Sequence, residues 1–368
     1  MDIIKGADIS TLLEIEKAGG KFYDCGKEGE LYGILAGYGI NYVRLRLWND
    51  PYSQDGVPYG AGTNDLAAVT KLAKRAKAHG MRVLLDYHYS DFWADPGKQI
   101  PPKAWRGKTI DELEKAIFDY TEDTLENLKT EGIIPDMVQI GNEVTNGLLW
   151  PYGRKPEFDN IARFISSGIK AVRKSAPSAK IMIHLDNGGR NDLYREWFDN
   201  YVKRGEDFDI IGLSYYPFWH GTMEALKNNM DDIAVRYNKD LVIAEVSMGF
   251  TMEDYASHEG LAPGERKGMA TKPELAAKIE HPMTVQGQCD FLKDLFEIID
   301  GVPDGHGKGF FYWEPAWIPV HGCEWATPAA LEYTGEKGPG GNEWANQALF
   351  DYDGNSLPSL EVIRDWSK

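Results

Sequence analysis

The sequence predicts a single (β/α)8 barrel, also called a TIM barrel, over residues 1–368. Short β-rich runs alternate with longer helical patterns from one end of the chain to the other, which is typical of βα units around a parallel sheet. Several runs, such as residues 83–85 (VLL) and 181–183 (IMI), are apolar on both faces, as strands are when helices cover one side and a barrel interior lies on the other. Barrels of this class reach such a length as one domain.

Eight runs have the composition of strands. They cover residues 5–9, 42–47, 82–87, 137–140, 180–185, 210–214, 241–246 and 309–313. Between them, apolar residues recur at helical spacing. Thr109 and Glu112 form a capping box that predicts a helix start, and Gly132 suits the left-handed cap where this helix stops. Further helices are expected between Asn64 and about Gly80, in the segment before residue 205, and over residues 357–366.

Two connections are much longer than the others. They run from residue 247 to about 283 and from residue 314 to about 355, after predicted strands 7 and 8. Loops this long in a compact domain usually carry function, and in a barrel they lie on the face where active sites are built. The sequence therefore predicts one functional face with two long loops.

The chain is strongly acidic, with 57 acidic against 40 basic residues and a formal charge of −17. This charge repels phosphate backbones and anionic lipids, so neither nucleic acid nor a membrane surface is expected as a partner. No apolar run reaches the roughly 18 to 20 residues that a membrane span needs. Cys25, Cys289 and Cys323 are too scattered for a zinc site and allow one disulfide at most.

Two glutamates stand in or directly after apolar strand sequence. Glu143 follows residues 138–142 (VQIGN), and Glu245 lies within residues 242–246 (VIAEV). Strands 4 and 7 face each other across a barrel mouth, so inward side chains at their ends can approach closely. Hydrolysis of a glycosidic bond with retention uses two carboxylates about 5 to 5.5 Å apart, one as the acid and one as the nucleophile. The pair therefore predicts a retaining glycoside hydrolase.

Each glutamate also has a purely structural interpretation. Glu143 fits a first-turn acid that a helix dipole favours. Glu245 is harder to explain in this way, because a lone carboxylate buried in a strand is costly unless it is paired or neutralised. Four other carboxylates end predicted strands and are rivals for the catalytic roles, although most of them are expected to bind sugar hydroxyls or to orient neighbours: Asp8, Asp86, Asp186 and Glu314.

Arg46 and His88 are candidate partners for these carboxylates. Alternation along residues 44–48 (RLRLW) sends Arg44 and Arg46 to the same face of strand 2. Arg46 would suit a bidentate contact to Glu245 that keeps it ionised, or else an ion pair that only supports the barrel. His88 has no second histidine at helical spacing with which to bind a metal, so a hydrogen-bonding or buried core role is expected.

The 11 tryptophans are unevenly distributed along the chain. Trp197 and Trp366 lie on helical stripes, whereas nine fall at strand ends or in the loops that follow them. Flat aromatic rings stack against the C–H faces of sugars, and the indole N–H can bind a hydroxyl. Packing within loops is the alternative role, expected for roughly half of the nine. The nine are Trp48, Trp93, Trp105, Trp150, Trp219, Trp313, Trp317, Trp325 and Trp344.

Five motifs follow one another along the chain. They are residues 5–10 (KGADIS), 43–48 (VRLRLW), 86–96 (DYHYSDFWADP), 139–143 (QIGNE) and 346–351 (NQALFD). Together they resemble glycoside hydrolase family 53, the endo-β-1,4-galactanases, over nearly the whole length. The resemblance implies an endo-acting, retaining hydrolase on a (β/α)8 barrel that cleaves β-1,4-galactosidic bonds in the type I (arabino)galactan of plant pectin by double displacement.

The resemblance also implies roles for individual residues. Glu143 would be the acid/base, Glu245 the nucleophile, and Asn142 the partner of the 2-hydroxyl of the attacked sugar. The other residues implied to line that subsite are Arg46, His88, Tyr215 and Trp313. Those implied to bind sugars further toward the non-reducing end are Asp186, Asn187 and Trp344.

The resemblance implies no required cofactor, and a polysaccharide, β-1,4-galactan, as the partner of a monomeric enzyme. Bacterial relatives often carry a structural calcium between the loops after strands 7 and 8. Residues 253–259 (EDYASHE) depart from the spacing expected for it, so no metal ligand is assigned and the calcium stays an open expectation. A secreted or cell-envelope location is expected. Residues 1–5 (MDIIK) lack a signal-peptide layout, so the native signal peptide is expected to have been removed.

Three alternatives stay open at this point. Another β-1,4-glycanase of the same clan, a mannanase or a cellulase, would share both glutamates but not the substrate. A catalytically silent carbohydrate-binding barrel would have no need for both Glu143 and Glu245. A sugar-phosphate isomerase or aldolase would need a glycine-rich phosphate loop after strands 7 and 8 or a Schiff-base lysine, and neither is evident.

Overall fold

The computed structural model describes residues 3–262 and 264–367. The strands, numbered along the chain, are β1 (Ile4–Asp8), β2 (Phe22–Asp24), β3 (Lys27–Gly29), β4 (Tyr42–Leu47), β5 (Arg82–Tyr87), β6 (Met137–Ile140), β7 (Gly147–Leu148), β8 (Gly153–Arg154), β9 (Lys180–Leu185), β10 (Ile210–Tyr215), β11 (Asp240–Val246) and β12 (Gly307–Trp313). The helices are α1 (Leu12–Lys17), α2 (Leu31–Gly37), α3 (Leu66–Ala78), α4 (Ile110–Thr130), α5 (Phe158–Ser175), α6 (Asn191–Tyr201), α7 (Met223–Tyr237), α8 (Tyr255–His258), α9 (Pro273–Ala276), α10 (Val285–Gly301), α11 (Pro328–Thr334) and α12 (Ser359–Asp365).

Eight of these strands form a closed parallel barrel. Their order around the ring is β1-β12-β11-β10-β9-β6-β5-β4, so strands that follow one another along the chain are neighbours and β12 closes on β1. Asp8 pairs in register with both Trp313 and Arg44, which ties β1 to its two neighbours. The short hairpins β2-β3 and β7-β8 form separate antiparallel sheets. The predicted (β/α)8 architecture is confirmed.

The predicted elements match the observed ones closely, with small shifts at their ends. The first barrel strand begins at Ile4 and the last at Gly307, one and two residues before the predicted starts. Helix α4 opens with the predicted capping box between Thr109 and Glu112. Helix α3 begins at Leu66, because the Asp65 side chain accepts a hydrogen bond from the Ala68 N–H and acts as the N-cap.

The barrel interior changes in character along its length. Toward the amino ends of the strands it is filled by apolar side chains: Ile4, Tyr42, Leu84, Met137, Met182, Ile210, Val242, Ala244 and Phe311. Gly6 leaves room for the Phe311 ring, since a Cβ at this position would lie 2.2 Å from that ring. Two residues further along the strands, the same inward face carries charged side chains such as Arg44 and Asp86. The apolar layer therefore forms the floor beneath a charged layer at the mouth.

The two long connections both leave the mouth of the barrel. Residues 247–284 follow β11 and contain α8 and α9, and residues 314–358 follow β12 and contain α11. Within the part of the chain that the structure describes, no helix is both long and apolar enough to cross a bilayer. Cys25, Cys289 and Cys323 are free thiols.

Candidate active site

The carboxyl ends of the barrel strands open into a cavity of about 390 Å³. Glu143 and Glu245 both line it, together with Asn142. The other acidic residues in its wall are Asp95, Asp186, Glu336 and Glu343, and the basic ones are Lys98 and Lys267. Its aromatic residues are Trp93, Tyr216, Trp219, Trp313, Trp317, Trp325 and Trp344. Paired carboxylates beneath an aromatic wall are the surroundings that glycosidic hydrolysis needs.

Glu143 is held in a tight turn at the end of β6. Its backbone is left-handed (φ 44°), which is rare for a residue with a side chain and is found mostly at functional turns. It precedes a short 3₁₀ turn, residues 144–146, but its side chain makes no capping hydrogen bond there. Glu143 therefore lies before this turn and not within the first turn of a helix, so the interpretation as a first-turn acid is wrong. Instead, one carboxylate oxygen accepts a hydrogen bond from the Ser214 hydroxyl at 2.6 Å.

The surroundings of Glu143 favour its protonated form. Burial raises the pKa of this carboxyl well above its ordinary value, and the nearby carboxylates of Glu245 and Asp186 raise it further. The hydrogen bond from Ser214 opposes this shift, because it stabilises the ionised form. The balance leaves Glu143 as a group that can hold a proton where an ordinary glutamate would have lost it.

Glu245 lies in β11, and its side chain contacts a cation. Its Oε1 is 2.9 Å from Nη2 of Arg44, and its Oε2 accepts a hydrogen bond from the Tyr216 hydroxyl at 2.9 Å. Burial raises the pKa of Glu245, whereas the Arg44 guanidinium and the Tyr216 hydrogen bond lower it. The carboxylates of Asp86 and Asp8, which act more weakly, raise it. Arg44 and Tyr216 keep the pKa of Glu245 below that of Glu143, because only Glu245 has a cation beside it.

Arg44 is the centre of a buried ionic network below the cavity. Its guanidinium lies 2.8 Å from Asp8 Oδ2 and 2.8 Å from Asp86 Oδ2, in addition to its contact with Glu245. It also donates to the amide oxygen of Asn142 at 2.8 Å. Burial alone would lower the pKa of Arg44, but the carboxylates of Asp86, Glu245 and Asp8 raise it, so Arg44 stays charged.

The predicted contact between Arg46 and Glu245 is wrong, and Arg44 makes it instead. Arg46 is two residues nearer the mouth, where its guanidinium pairs with Asp8 Oδ1 at 2.9 Å and with Glu314 Oε1 at 2.6 Å. Both arginines face inward as alternation predicts, but the depth of each along β4 decides which carboxylate it reaches. The alternative interpretation of Arg46, an ion pair that supports the barrel, agrees with the structure.

Arg46 also supports the aromatic wall from behind. Its guanidinium carbon lies 4.6 Å from the ring centroid of Trp93 and 5.6 Å from that of Trp313. Glu314, which holds Arg46 in this place, accepts a hydrogen bond from the Thr11 backbone N–H at 3.2 Å. Burial raises the pKa of Glu314 to about 7, although Arg46 opposes the shift. Arg46 therefore lies behind the cavity wall rather than in it.

His88 and Asn142 are both fixed by hydrogen bonds. The Ala94 N–H donates to Nδ1 of His88 at 3.1 Å, so Nε2 carries the proton and donates to Asp86 at 3.0 Å. Burial lowers the pKa of His88, which keeps the ring neutral. His88 packs against Trp93 outside the cavity wall and does not line the subsite as predicted. Asn142 does line the cavity, and its amide N–H donates to the Ala94 carbonyl at 2.9 Å.

Tyr215 does not line the cavity, and that prediction is wrong. Its hydroxyl donates to the Gly221 carbonyl at 3.0 Å, and its ring stacks on Phe291 of α10, outside the barrel. The next residue, Tyr216, occupies the cavity wall and contacts Glu245. The alternation along β10 could have shown this, because Tyr215 has the outward parity and Tyr216 the inward one.

Of the three residues expected to bind sugars toward the non-reducing end, two line the cavity and one does not. Asp186 lines the cavity, where its carboxylate accepts a hydrogen bond from the Thr145 hydroxyl at 2.5 Å. Asn187 is left-handed (φ 55°), and its amide is bound to Asp186 outside the cavity wall. Trp344 lies in the wall, with its ring centroid 4.7 Å from that of Trp313.

Six of the nine mouth tryptophans line the cavity, and three do not. Trp48 and Trp105 are buried in the hydrophobic core, and Trp150 donates to the Asn146 carbonyl at 3.0 Å. The sequence interpretation did not single out Arg44, Ser214, Tyr216 or the two cavity lysines. Arg44, Ser214 and Tyr216 have the inward parity of their strands, so alternation was the signal that could have identified them.

Comparison with known proteins gives consistent results. The sequence model described as Glycosyl hydrolase family 53 matches residues 4–363. An endo-beta-1,4-galactanase of Bacillus subtilis (strain 168) is 37% identical over 382 residues, which cover 99% of this chain and 86% of that protein. An arabinogalactan endo-beta-1,4-galactanase A of Aspergillus niger is 36% identical over 323 residues, 85% of each chain. The solved GH53 catalytic domain of Ignisphaera aggregans is 40% identical with a TM-score of 0.89, over 99% of this chain and 96% of that one.

Proposed function

This chain belongs to glycosyl hydrolase family 53, and from that membership and the geometry of the site we propose that it is an endo-β-1,4-galactanase. It hydrolyses internal β-1,4-galactosidic bonds of type I (arabino)galactan, the neutral side chains of plant pectin. The observation that supports this most strongly is the pair Glu143 and Glu245 in one cavity, with a cation beside Glu245 only.

The reaction runs by double displacement with retention at the anomeric carbon. Glu245, ionised beside Arg44, attacks the anomeric carbon while Glu143 gives its proton to the glycosidic oxygen, so that bond breaks and the aglycone leaves. Glu143, now a carboxylate, then takes a proton from water. The resulting nucleophile displaces Glu245 from the sugar and regenerates both groups.

Arg44 and Tyr216 prepare the nucleophile for the first step. Both contact one carboxylate, Arg44 at Oε1 and Tyr216 at Oε2 of Glu245, so the attacking group is fixed in orientation as well as charge. Asn142 follows strand β6 directly before Glu143, and its amide is held by Arg44 and Ala94. We assign to Asn142 the contact with the 2-hydroxyl of the attacked sugar, where hydrogen bonds strengthen in the transition state.

The aromatic residues of the wall bind the galactan chain. Trp313 and Trp344 are adjacent and tilted by 62° to each other, so they offer ring faces in two directions within one cavity. Asp186 supplies a polar group to sugar hydroxyls near Glu143. A sugar ring can stack at several positions on an indole face. This suits a polysaccharide, which must bind with different residues of its chain over the same tryptophan.

The proposed chemistry uses two carboxylates and water and requires no cofactor. The partner is the polysaccharide alone, and neither nucleic acid nor a membrane takes part. We further propose that the chain acts as a monomer, that it forms one catalytic domain, and that it works outside the cell or in the cell envelope, where plant galactan is found.

Product analysis on linear β-1,4-galactan tests the proposal. Endo action predicts that intermediate oligosaccharides appear before galactose and galactobiose, and that the first product formed at each cut is the β-anomer. Linear β-1,4-mannan and cellulose serve as controls, and neither should be cut at a comparable rate. Preferred cleavage of mannan or cellulose would support the alternative glycanase, and binding to galactan without any cleavage would support a silent carbohydrate-binding barrel.

A further inference from the structure

Arg266 joins the two long loops at the barrel mouth. It lies in the loop after β11, and its side chain is only 7% exposed although it carries a full charge. Its Nε is 3.0 Å from Oε2 of Glu259, which belongs to the same loop. Its Nη1 is 2.7 Å from Oε1 of Glu324, and its Nη2 donates to Nδ1 of His321 at 2.6 Å. Glu324 and His321 both belong to the loop after β12, so one guanidinium contacts both loops.

A calcium ion does not fit at this place. Calcium needs about six to eight oxygen ligands arranged around it. Among residues 3–262 and 264–367, no group of three or more His, Cys, Asp or Glu side chains is arranged to hold a metal ion. The acidic side chains that the two loops bring together, Glu259 and Glu324, point at the guanidinium of Arg266, and a cation placed between them would face that positive charge.

We propose that the Arg266 guanidinium supplies the buried positive charge that cross-links the loops after β11 and β12, in place of the calcium ion that the family resemblance implies. It acts together with backbone hydrogen bonds between the loops, such as the one from the Ala270 N–H to the Glu343 carbonyl. Through this link Arg266 is a positioning residue for the substrate cavity. The positioning role rests on the proposed galactanase function, whereas the cross-link between the loops does not.

The link reaches the cavity through the next residue, Lys267. Its backbone N–H donates to the Gly340 carbonyl at 3.1 Å, across the two loops. Its ammonium is 2.9 Å from Glu343 Oε1 and 4.1 Å from the ring centroid of Trp325. Lys267, Glu343 and Trp325 all line the cavity. Release of Arg266 should therefore loosen one wall of the cavity.

The catalytic pair should not move when this wall loosens. Glu143 and Glu245 are fixed by the barrel strands and by Ser214, Arg44 and Tyr216, none of which belongs to either loop. A loosened wall weakens sugar binding in the ground state and the transition state alike, which raises KM and spares kcat. This split distinguishes a positioning role from a general loss of folded protein, which would lower kcat and leave KM unchanged.

The experiment compares Arg266→Met with Arg236→Met. Methionine keeps a long apolar side chain but removes the charge and the donors. Arg236 pairs with Asp199 on the outer surface between α6 and α7, with side chains 37% and 34% exposed, and among residues 3–262 and 264–367 its side chain is bonded to neither loop. It controls for the loss of an arginine ion pair elsewhere in the protein. The two readouts are hydrogen exchange of residues 251–283 and 314–355, and the Michaelis parameters on galactan.

For Arg266→Met we expect exchange to rise in both loops and KM to rise about three- to tenfold, with kcat within about twofold of the wild type. Arg236→Met should change neither readout. Unchanged exchange in both loops would overturn the cross-link. Faster exchange with an unchanged KM would overturn the positioning role. Glu324→Gln replaces one of the two carboxylates that Arg266 contacts with a neutral amide and keeps Glu259 and His321 in place. It should give smaller changes of the same sign and serves if Arg266→Met does not fold.

A calcium titration of the wild-type protein completes the test. Addition of EDTA or of calcium chloride should leave both the Tm and the loop exchange unchanged. A rise in Tm or loop protection with calcium would overturn the replacement of the ion by Arg266. If the chain proved not to cut galactan, the KM comparison would be lost but the exchange and calcium results would still decide whether Arg266 joins the loops.

Discussion

Glu245 and Glu143 line the same cavity, yet the groups that surround them differ in charge. Glu245 contacts a guanidinium and a phenol, Arg44 and Tyr216, at 2.9 Å each. Glu143 contacts one neutral hydroxyl, that of Ser214, and its other electrostatic neighbours are carboxylates. The two residues are chemically identical and both are buried, so burial alone cannot separate their roles.

The difference shows how one barrel obtains an acid and a nucleophile from the same side chain. Burial raises the pKa of both glutamates, and nearby carboxylates add to the rise at each, but only Glu245 has a cation, Arg44, beside it that opposes the rise. A pair of carboxyls whose surroundings push their pKa values apart is the arrangement expected of an acid/base and nucleophile pair.

Replacement of either glutamate should have the largest effect. Glu143→Gln and Glu245→Gln should each lower kcat on galactan by about three orders of magnitude or more, because each removes a role in the transition state. Glu336→Gln, at the cavity rim and paired with Lys98, is the control and should stay within about tenfold of the wild type. More than about a tenth of wild-type activity in either catalytic variant would show that its assignment is wrong.

An activated leaving group should separate the two variants from each other. In an aryl galactobioside with an acidic phenol, the phenolate can leave without being protonated. Glu143→Gln should therefore form the glycosyl-enzyme from this substrate at a rate near that of the wild type. Glu245→Gln should remain inactive on it, since no carboxylate is left to attack. A burst of phenol release from each variant measures this step. Equal loss in both variants would remove the distinction between acid and nucleophile.

Arg44→Lys should cause the next largest loss of activity. Lysine keeps the charge but cannot reach Asp8, Asp86 and Glu245 together, so we expect kcat/KM to fall about a hundredfold. Because an ammonium drawn to Asp8 and Asp86 lies further from Glu245 than the guanidinium does, Glu245 should also have a higher pKa, and the acidic limb of the pH–rate profile should move to higher pH. Circular dichroism confirms folding. An unshifted acidic limb would mean that Arg44 does not control the ionisation of Glu245.

Two hydroxyl deletions give a smaller, matched pair of effects. Ser214→Ala removes the hydrogen bond that lowers the pKa of Glu143, so the alkaline limb of the kcat/KM profile should move to higher pH while the acidic limb stays. Tyr216→Phe removes the bond that lowers the pKa of Glu245, so the acidic limb should move to higher pH instead. The contrast would be lost if both variants moved the same limb.

Trp344→Ala should have the smallest effect on the chemistry. Trp344 contacts the rings of Tyr216 and Trp313 but neither glutamate, so its loss should raise KM by about tenfold or more, the order of magnitude of aromatic stacking on a flat ligand. The pH limbs should not move, and kcat on long galactan should stay near that of the wild type. Short oligosaccharides should be affected more than polymer. Unchanged kinetics and product lengths would assign Trp344 to loop packing.

The fold was predictable because it depends on patterns that are local in the chain. Strand-like runs such as residues 82–87 are apolar on both faces, and only a layered α/β arrangement buries both. The capping box of Thr109 and Glu112 needs three residues and no tertiary information. Glu143 and Glu245 were identifiable for a related reason, since a carboxylate at the end of an apolar strand must have a partner.

The partners were harder to predict because they come from distant strands. Arg44 and Arg46 have the same parity, and only the stagger of the closed barrel decides that Arg44 reaches Glu245 while Arg46 reaches Glu314. Tyr215 was placed wrongly although parity was available. The link through Arg266 was not predictable, because two of its three partners, His321 and Glu324, lie in a second loop 55 and 58 residues further along the chain.

The most direct test of the central claim is to trap the glycosyl-enzyme and locate it. A 2-deoxy-2-fluoro galactobioside with an activated leaving group slows the second displacement, because fluorine destabilises the oxocarbenium-like transition state, so the covalent intermediate accumulates. Peptide mapping by mass spectrometry then identifies the labelled residue. We expect one fluorinated galactobiosyl group on Glu245, with loss of activity in parallel with labelling. A label on Glu143 or another carboxylate, or inactivation without any covalent adduct, would contradict the assignment of Glu245 as the nucleophile.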